Sequence, residues 1–152
     1  MAQYAIPDAD VVDGNWLNQA ASNVNLYQSI APGTPGSIGA GDDATYAESP
    51  LAPVNEACAF RLSDVEDPQS SAGHIMRWRR GKDAAGGAQV DLTVELRQDY
   101  VNEGDQGTLI NSFSDTNVPD AFATATDTLS GAEADAITGY ADLFVRFVAN
   151  QP

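Results

Sequence analysis

The side chains that could do chemistry are few and scattered. His74 is the only histidine, so a Ser-His-Asp reading would depend on it. It follows a turn signal, Ser70-Ser71-Ala72-Gly73, and opens a strand pattern. A hydrogen-bonded strand end accounts for it more simply than catalysis. Cys58 is the only cysteine. That leaves no intrachain disulfide and, beside a lone histidine, too few ligands for a usual zinc site. Its setting, Ala57-Cys58-Ala59-Phe60-Arg61-Leu62, suits a small buried hydrophobe. No P-loop, GxGxxG, HExxH or CxxC pattern occurs.

Carboxylates are abundant, 22 against 7 basic residues. Glycoside hydrolysis would need two of them facing each other at ~5–9.5 Å, which a sequence does not display. Hard oxygen ligands clustered in loops suit calcium. That makes Asp42 and Asp43, and Asp64, Glu66 and Asp67, the calcium candidates. Neither cluster has EF-hand spacing, and solvated turn residues are the favoured reading of both. No cofactor is expected.

One basic run stands out, Arg77-Trp78-Arg79-Arg80-Gly81-Lys82. Arginines for phosphates and a tryptophan for stacking would fit a nucleic acid. Alternation splits the run over two faces, however, and a formal charge of −15 repels phosphate. Cross-strand pairing with carboxylates is a second reading. The third assigns Arg77, Arg79 and Arg80 to contact with an acidic neighbouring subunit, since Arg and Trp are enriched at interface hot spots. The same charge disfavours anionic membrane surfaces, and no apolar stretch reaches the ~18 residues of a span. The N-terminus lacks the basic and apolar regions of a signal peptide, so synthesis in the cytoplasm is expected.

The elements that must position these residues are mostly strands. The length of 152 residues fits one domain. Val90, Leu92, Val94 and Leu96 alternate with Asp91, Thr93, Glu95 and Arg97, one apolar face and one charged. Similar patterns predict strands at about 57–62, 74–80, 108–113, 122–129 and 142–149. Ser130-Gly131-Ala132-Glu133 is a capping box, which predicts a short helix near 131–138 stopped by Gly139. A helical turn is possible at Asn25–Ile30. Residues 1–60 contain no Lys or Arg, and Ala31–Gly41 is rich in Gly and Pro. The division expected is an extended N-terminal arm with loops over 1–50, partly packed on the domain, and a core over 51–152. The fold class is all-β: an antiparallel sandwich, jelly-roll or Greek-key like, because long gaps separate some strands.

Several segments together carry a resemblance. They are Asn25–Ile30, Asp42-Asp43-Ala44-Thr45-Tyr46, Leu62–Pro68, Gly73–Arg79, Leu92–Gln98 and, most specifically, Leu129–Phe147 with its pattern LS-x-x-EADAIT-x-Y-x-DL-x-V-R-F. Over roughly residues 9–149 the chain resembles a β-sandwich structural module of tailed-bacteriophage and prophage virion proteins. It departs from that pattern in the long Pro/Gly loop before Asp43 and in the acidic segment Asp99–Gly107.

The resemblance implies a non-enzymatic virion component. A capsid decoration or cement protein fits best, since there is no coiled coil or fibre shaft. Its implied partners are the major capsid protein and neighbouring copies of itself, as a homo-oligomer on the capsid exterior. Neither nucleic acid nor membrane is implied as a partner. One alternative is a tail or baseplate accessory protein. Another is a carbohydrate-binding module, which needs an exposed aromatic platform from Trp16, Tyr46, Trp78 or Tyr100.

Overall fold

A computed structural model describes residues 3–30, 43–83 and 87–152. The Ala31–Gly41 stretch and Asp42 lie outside the described residues. So does the middle of the turn expected at Gly81–Gly87. Among the described residues nine strands and two short helices follow in the order β1 (Pro7–Val12), β2 (Leu17–Asn18), α1 (Leu26–Ile30), β3 (Ala47–Glu48), β4 (Glu56–Leu62), β5 (Ile75–Arg80), β6 (Asp91–Gln98), β7 (Thr108–Asp115), β8 (Ala123–Thr128), α2 (Gly131–Asp135) and β9 (Leu143–Asn150).

The fold is an all-β antiparallel sandwich. One layer is a five-stranded sheet in the order β1-β4-β9-β6-β7. Within this sheet only β6 and β7 are neighbours in both sequence and space, so its remaining connections cross over, as the long gaps between strand signals predict. The β5–β8 ribbon packs on this sheet. Alternation sends Leu92 and Val94 of β6, Phe60 of β4 and Val145 of β9 into one buried cluster with Trp78 of β5 and Ala125 of β8. Trp78 meets Phe113 of β7 edge-on at 4.7 Å between ring centroids, a favoured aromatic geometry. Trp16 and Leu26 extend the cluster toward the N-terminal elements. At its other end Leu96, Ile110, Leu129, Ile137 and Leu143 form a second cluster beneath α2.

The strands expected from alternation are all present, with ends shifted by a residue or two. Three were not read from the sequence: the two-residue strands β2 and β3, which pair with each other, and β1. Pro7–Val12, inside the segment expected to be arm, is an edge strand paired with β4 through two register irregularities. Its pattern is uniformly half-buried, so no period-two signal marks it. Asp10 of β1 also starts α1. Its two carboxylate oxygens accept from the Leu26 and Tyr27 amides at 2.9 and 2.7 Å, which satisfies donors left open at a helix start.

The capping box at Ser130 forms as written. The Ser130 Oγ accepts from the Glu133 amide, and the Glu133 carboxylate accepts from the Ser130 amide. The helix ends at Asp135, short of Gly139. The reason is Gln98, whose Oε1 accepts from the Thr138 and Gly139 amides at 2.8 and 2.9 Å and draws the chain out of helix.

Candidate partner-contact face

The expected arginine cluster does not gather as one group. In β5 the side chains alternate: Trp78 and Arg80 turn toward the sheet, while Ile75, Arg77 and Arg79 face outward. Arg80 is held internally by Asp115 of β7 and by the Ala123 carbonyl, the latter at 3.0 Å. It ties the ribbon to the sheet and is not available to a partner in this arrangement. Arg77 and Arg79 do share one face.

That face belongs to a two-stranded ribbon. Ile75, Arg77 and Arg79 lie opposite Thr128, Thr126 and Thr124 of β8 in register, and all six are exposed. Arg79 donates to both carboxylate oxygens of Asp43, from Nη2 at 2.7 Å and from Nε. This hydrogen bonding holds the Asp43 carboxyl below its ordinary range. The Arg79 guanidinium also stands 5.9 Å from the centroid of the Phe122 ring, within cation–π range. Phe122 in turn contacts Tyr46 at 6.2 Å. Arg77 differs from every other basic side chain. Among the described residues it alone has no carboxylate partner, while Arg61, Arg79, Arg80, Lys82, Arg97 and Arg146 are all paired.

The outward row of threonines and Phe122 was not singled out from the sequence. Alternate threonines in Ala123–Thr128 were the available signal, but threonine suits a strand whether or not its face meets anything.

The calcium candidates that lie among the described residues do not converge. Asp43 is committed to Arg79, and Asp64 to Arg61 at 2.7 Å. Asp67 closes a local turn on Gln69, while the Glu66 backbone exchanges hydrogen bonds with the Gln3 side chain. Among the described residues no three His, Cys, Asp or Glu side chains form a group able to hold a metal. His74 ends in a hydrogen bond with the Tyr140 hydroxyl at 2.7 Å. Cys58 is fully buried, and burial pushes its thiol far above the ordinary range, away from the thiolate that reactivity requires. Of the aromatic candidates for a sugar platform, Trp16, Trp78 and Tyr100 are buried. Only Tyr46 is partly exposed, against Phe122.

The far face of the five-stranded sheet carries the densest electrostatics. Glu95 of β6 accepts from Arg97 at 2.8 Å and from Arg146 of β9 at 3.0 Å. Arg146 also clamps Glu103 with Nε at 2.8 Å and Nη2 at 2.6 Å, the two-pronged geometry that makes guanidinium–carboxylate pairs strong. Glu103 sits in the acidic 99–107 segment, which is thereby folded onto the sheet. Burial works to raise the Glu95 carboxyl, but the two arginines outweigh it and hold it low. The Arg146 hydrogen bond holds Glu103 low as well. Burial first, and then the bond to Glu103, raises the Tyr100 hydroxyl. Every charge in this cluster is matched from within the chain, which marks it as a structural clasp.

No family model, curated protein or solved structure matches this chain. The fold and the exposed ribbon therefore define its class from geometry alone: an acidic antiparallel sandwich with one basic, aromatic-flanked face.

Proposed function

We propose that this chain is a non-enzymatic virion structural protein, a capsid decoration or cement protein that stabilises the shell of a tailed phage from its exterior. The observation that carries the reading is the outward face of the β5–β8 ribbon. There Arg77 stands without a carboxylate among the described residues, in a chain of charge −15. In so acidic a chain, an exposed cation with no internal carboxylate is left available for a counter-charge that a partner supplies. Arg77 is thus the contact residue, and Arg79, Phe122 and Ile75 are its neighbours on the same face. The partner is an acidic surface of the major capsid protein or of an adjacent copy. The negative remainder of the molecule suits a position away from packaged DNA.

The test is to mix purified protein with undecorated capsids and measure occupancy. Arg77→Glu should weaken binding at least about tenfold, equivalent to ~1.4 kcal/mol, with its melting temperature unchanged. Failure of the intact protein to bind capsids sinks the decoration reading and favours a tail or baseplate position, which fractionated particles would reveal. Normal binding by Arg77→Glu would leave decoration standing and remove the ribbon from it.

A further inference from the structure

Lys82 is the only lysine in a chain whose other six basic residues are all arginine. Arginine makes the other ion pairs, so a primary amine at this one position is a distinct choice. Lysine is almost never buried unless paired, yet only 10% of the Lys82 side chain is exposed. Its Nζ donates to the Asn117 Oδ1 at 2.5 Å and to the Ala88 carbonyl at 2.9 Å. The Asp120 carboxylate stands 3.6 Å from the same nitrogen. A lysine side chain largely withdrawn from solvent, a carboxamide in direct contact and a solvent-facing carboxylate within reach are the components of amide transfer.

Both segments are pinned. The Lys82 amide donates to the Pro119 carbonyl at 2.8 Å, and the Val118 amide to the Val90 carbonyl at 2.8 Å. The Asn117 amide donates to Asp91 Oδ1 at 2.8 Å. Beside Lys82, a Cβ on Gly81 would meet the Phe122 amide nitrogen at 3.0 Å, so this end of the ribbon lies tightly against the segment that follows β7. Held groups of this kind react as if at effective molarities of about 10⁵–10⁸ M when well aligned.

We propose that Lys82 and Asn117 become joined by an isopeptide bond that the protein forms on itself, with Asp120 as the base. Asp120 takes a proton from the Lys82 ammonium. The freed Nζ lone pair attacks the Asn117 Cγ, forming the Nζ–Cγ bond. The Cγ–Nδ2 bond breaks, and Nδ2 departs carrying both protons that Nζ gave up, the first relayed by Asp120. An ammonium ion and a carboxamide thus become a substituted amide and free ammonium. No electrons are gained or lost and no co-reactant is needed. The bond links the turn after β5 to the segment after β7, so it fastens the ribbon covalently to the five-stranded sheet. It is independent of the capsid reading.

The experiment is intact-mass spectrometry of the purified full chain. The expected mass is below the sequence mass by one ammonia. Proteolysis should release a branched peptide joining the Lys82 and Asn117 segments, and an amine-reactive reagent should leave Lys82 unlabelled. Lys82→Arg and Asn117→Ala should each return to full mass, and Asp120→Asn should accumulate the linked form far more slowly. Wild-type protein at full mass, with Lys82 labelled, overturns the proposal without recourse to any variant. A loss of ammonia that persists in Lys82→Arg also overturns it, because Asn117 would then be cyclising on its own backbone.

Discussion

Val94 is fully buried at the centre of the main cluster, with Phe113 opposite it on β7 and Phe147 on β9. Its environment offers an aspartate no partner. Burying an unpaired carboxylate is among the few single changes that cost several kcal/mol. Val94→Asp should therefore lose at least about 3 kcal/mol of stability, read by denaturant unfolding. An unchanged midpoint would remove Val94 from the core. Arg77 is the contrasting residue. Its exposed side chain makes no ion pair among the described residues, so its substitution should act on binding and leave stability nearly unchanged.

Among elements, the 99–107 segment is fastened mainly by charge. Gly107 begins its return into β7 with φ +57°, and a Cβ there would lie 2.2 Å from the Gln98 carbonyl oxygen. The clasp itself is Glu103 and Glu95 on Arg146 and Arg97. Both carboxyls are held below their ordinary range in the folded chain. A depressed carboxyl contributes stability above its unfolded pKa, about 4.3 for Glu, and that contribution fades as pH falls through the folded value. Amide protection in 100–107 should therefore be full at neutral pH and decline below about pH 4. Arg146→Leu should show the weaker protection already at neutral pH. Protection independent of pH in both proteins would assign the segment's order to Tyr100 and Phe144 packing, whose rings lie 5.9 Å apart.

Over the whole molecule, a charge of −15 sets repulsion against packing. The ion pairs at Arg80, Arg97 and Arg146 are largely shielded from solvent, with arginine side chains no more than 17% exposed. The surplus carboxylates are mostly on the surface. Salt shortens the screening length from ~30 Å at 0.01 M to ~3 Å at 1 M. It should relieve the surface repulsion far more than it weakens the shielded pairs. The melting temperature should rise with salt over that range. A fall would mean that exposed pairs such as Arg61 with Asp64 outweigh the repulsion.

Alternation at Val90–Leu96 and the capping box at Ser130 were enough to place β6 and α2, because both signals are local: period two for a half-buried strand, and a hydroxyl three residues before a carboxylate for a helix start. The single histidine, single cysteine and acidic balance likewise set the chemical inventory before any coordinates. The edge strand Pro7–Val12 was hidden, since a strand half-buried along its whole length has no alternating face to read. The fate of each cation was hidden too. Arg77, Arg79 and Arg80 are adjacent in sequence, yet one is unpaired among the described residues, one is fixed to Asp43 and one to Asp115. Pairing depends on which carboxylate a distant segment delivers to within a few ångströms. Only the packing of β5 against the five-stranded sheet brings Lys82 to Asn117 and Asp120, and only the pairing of β9 beside β6 brings Arg146 to Glu103, because Coulomb energy and reactivity follow distance in space and the chain order does not encode that distance.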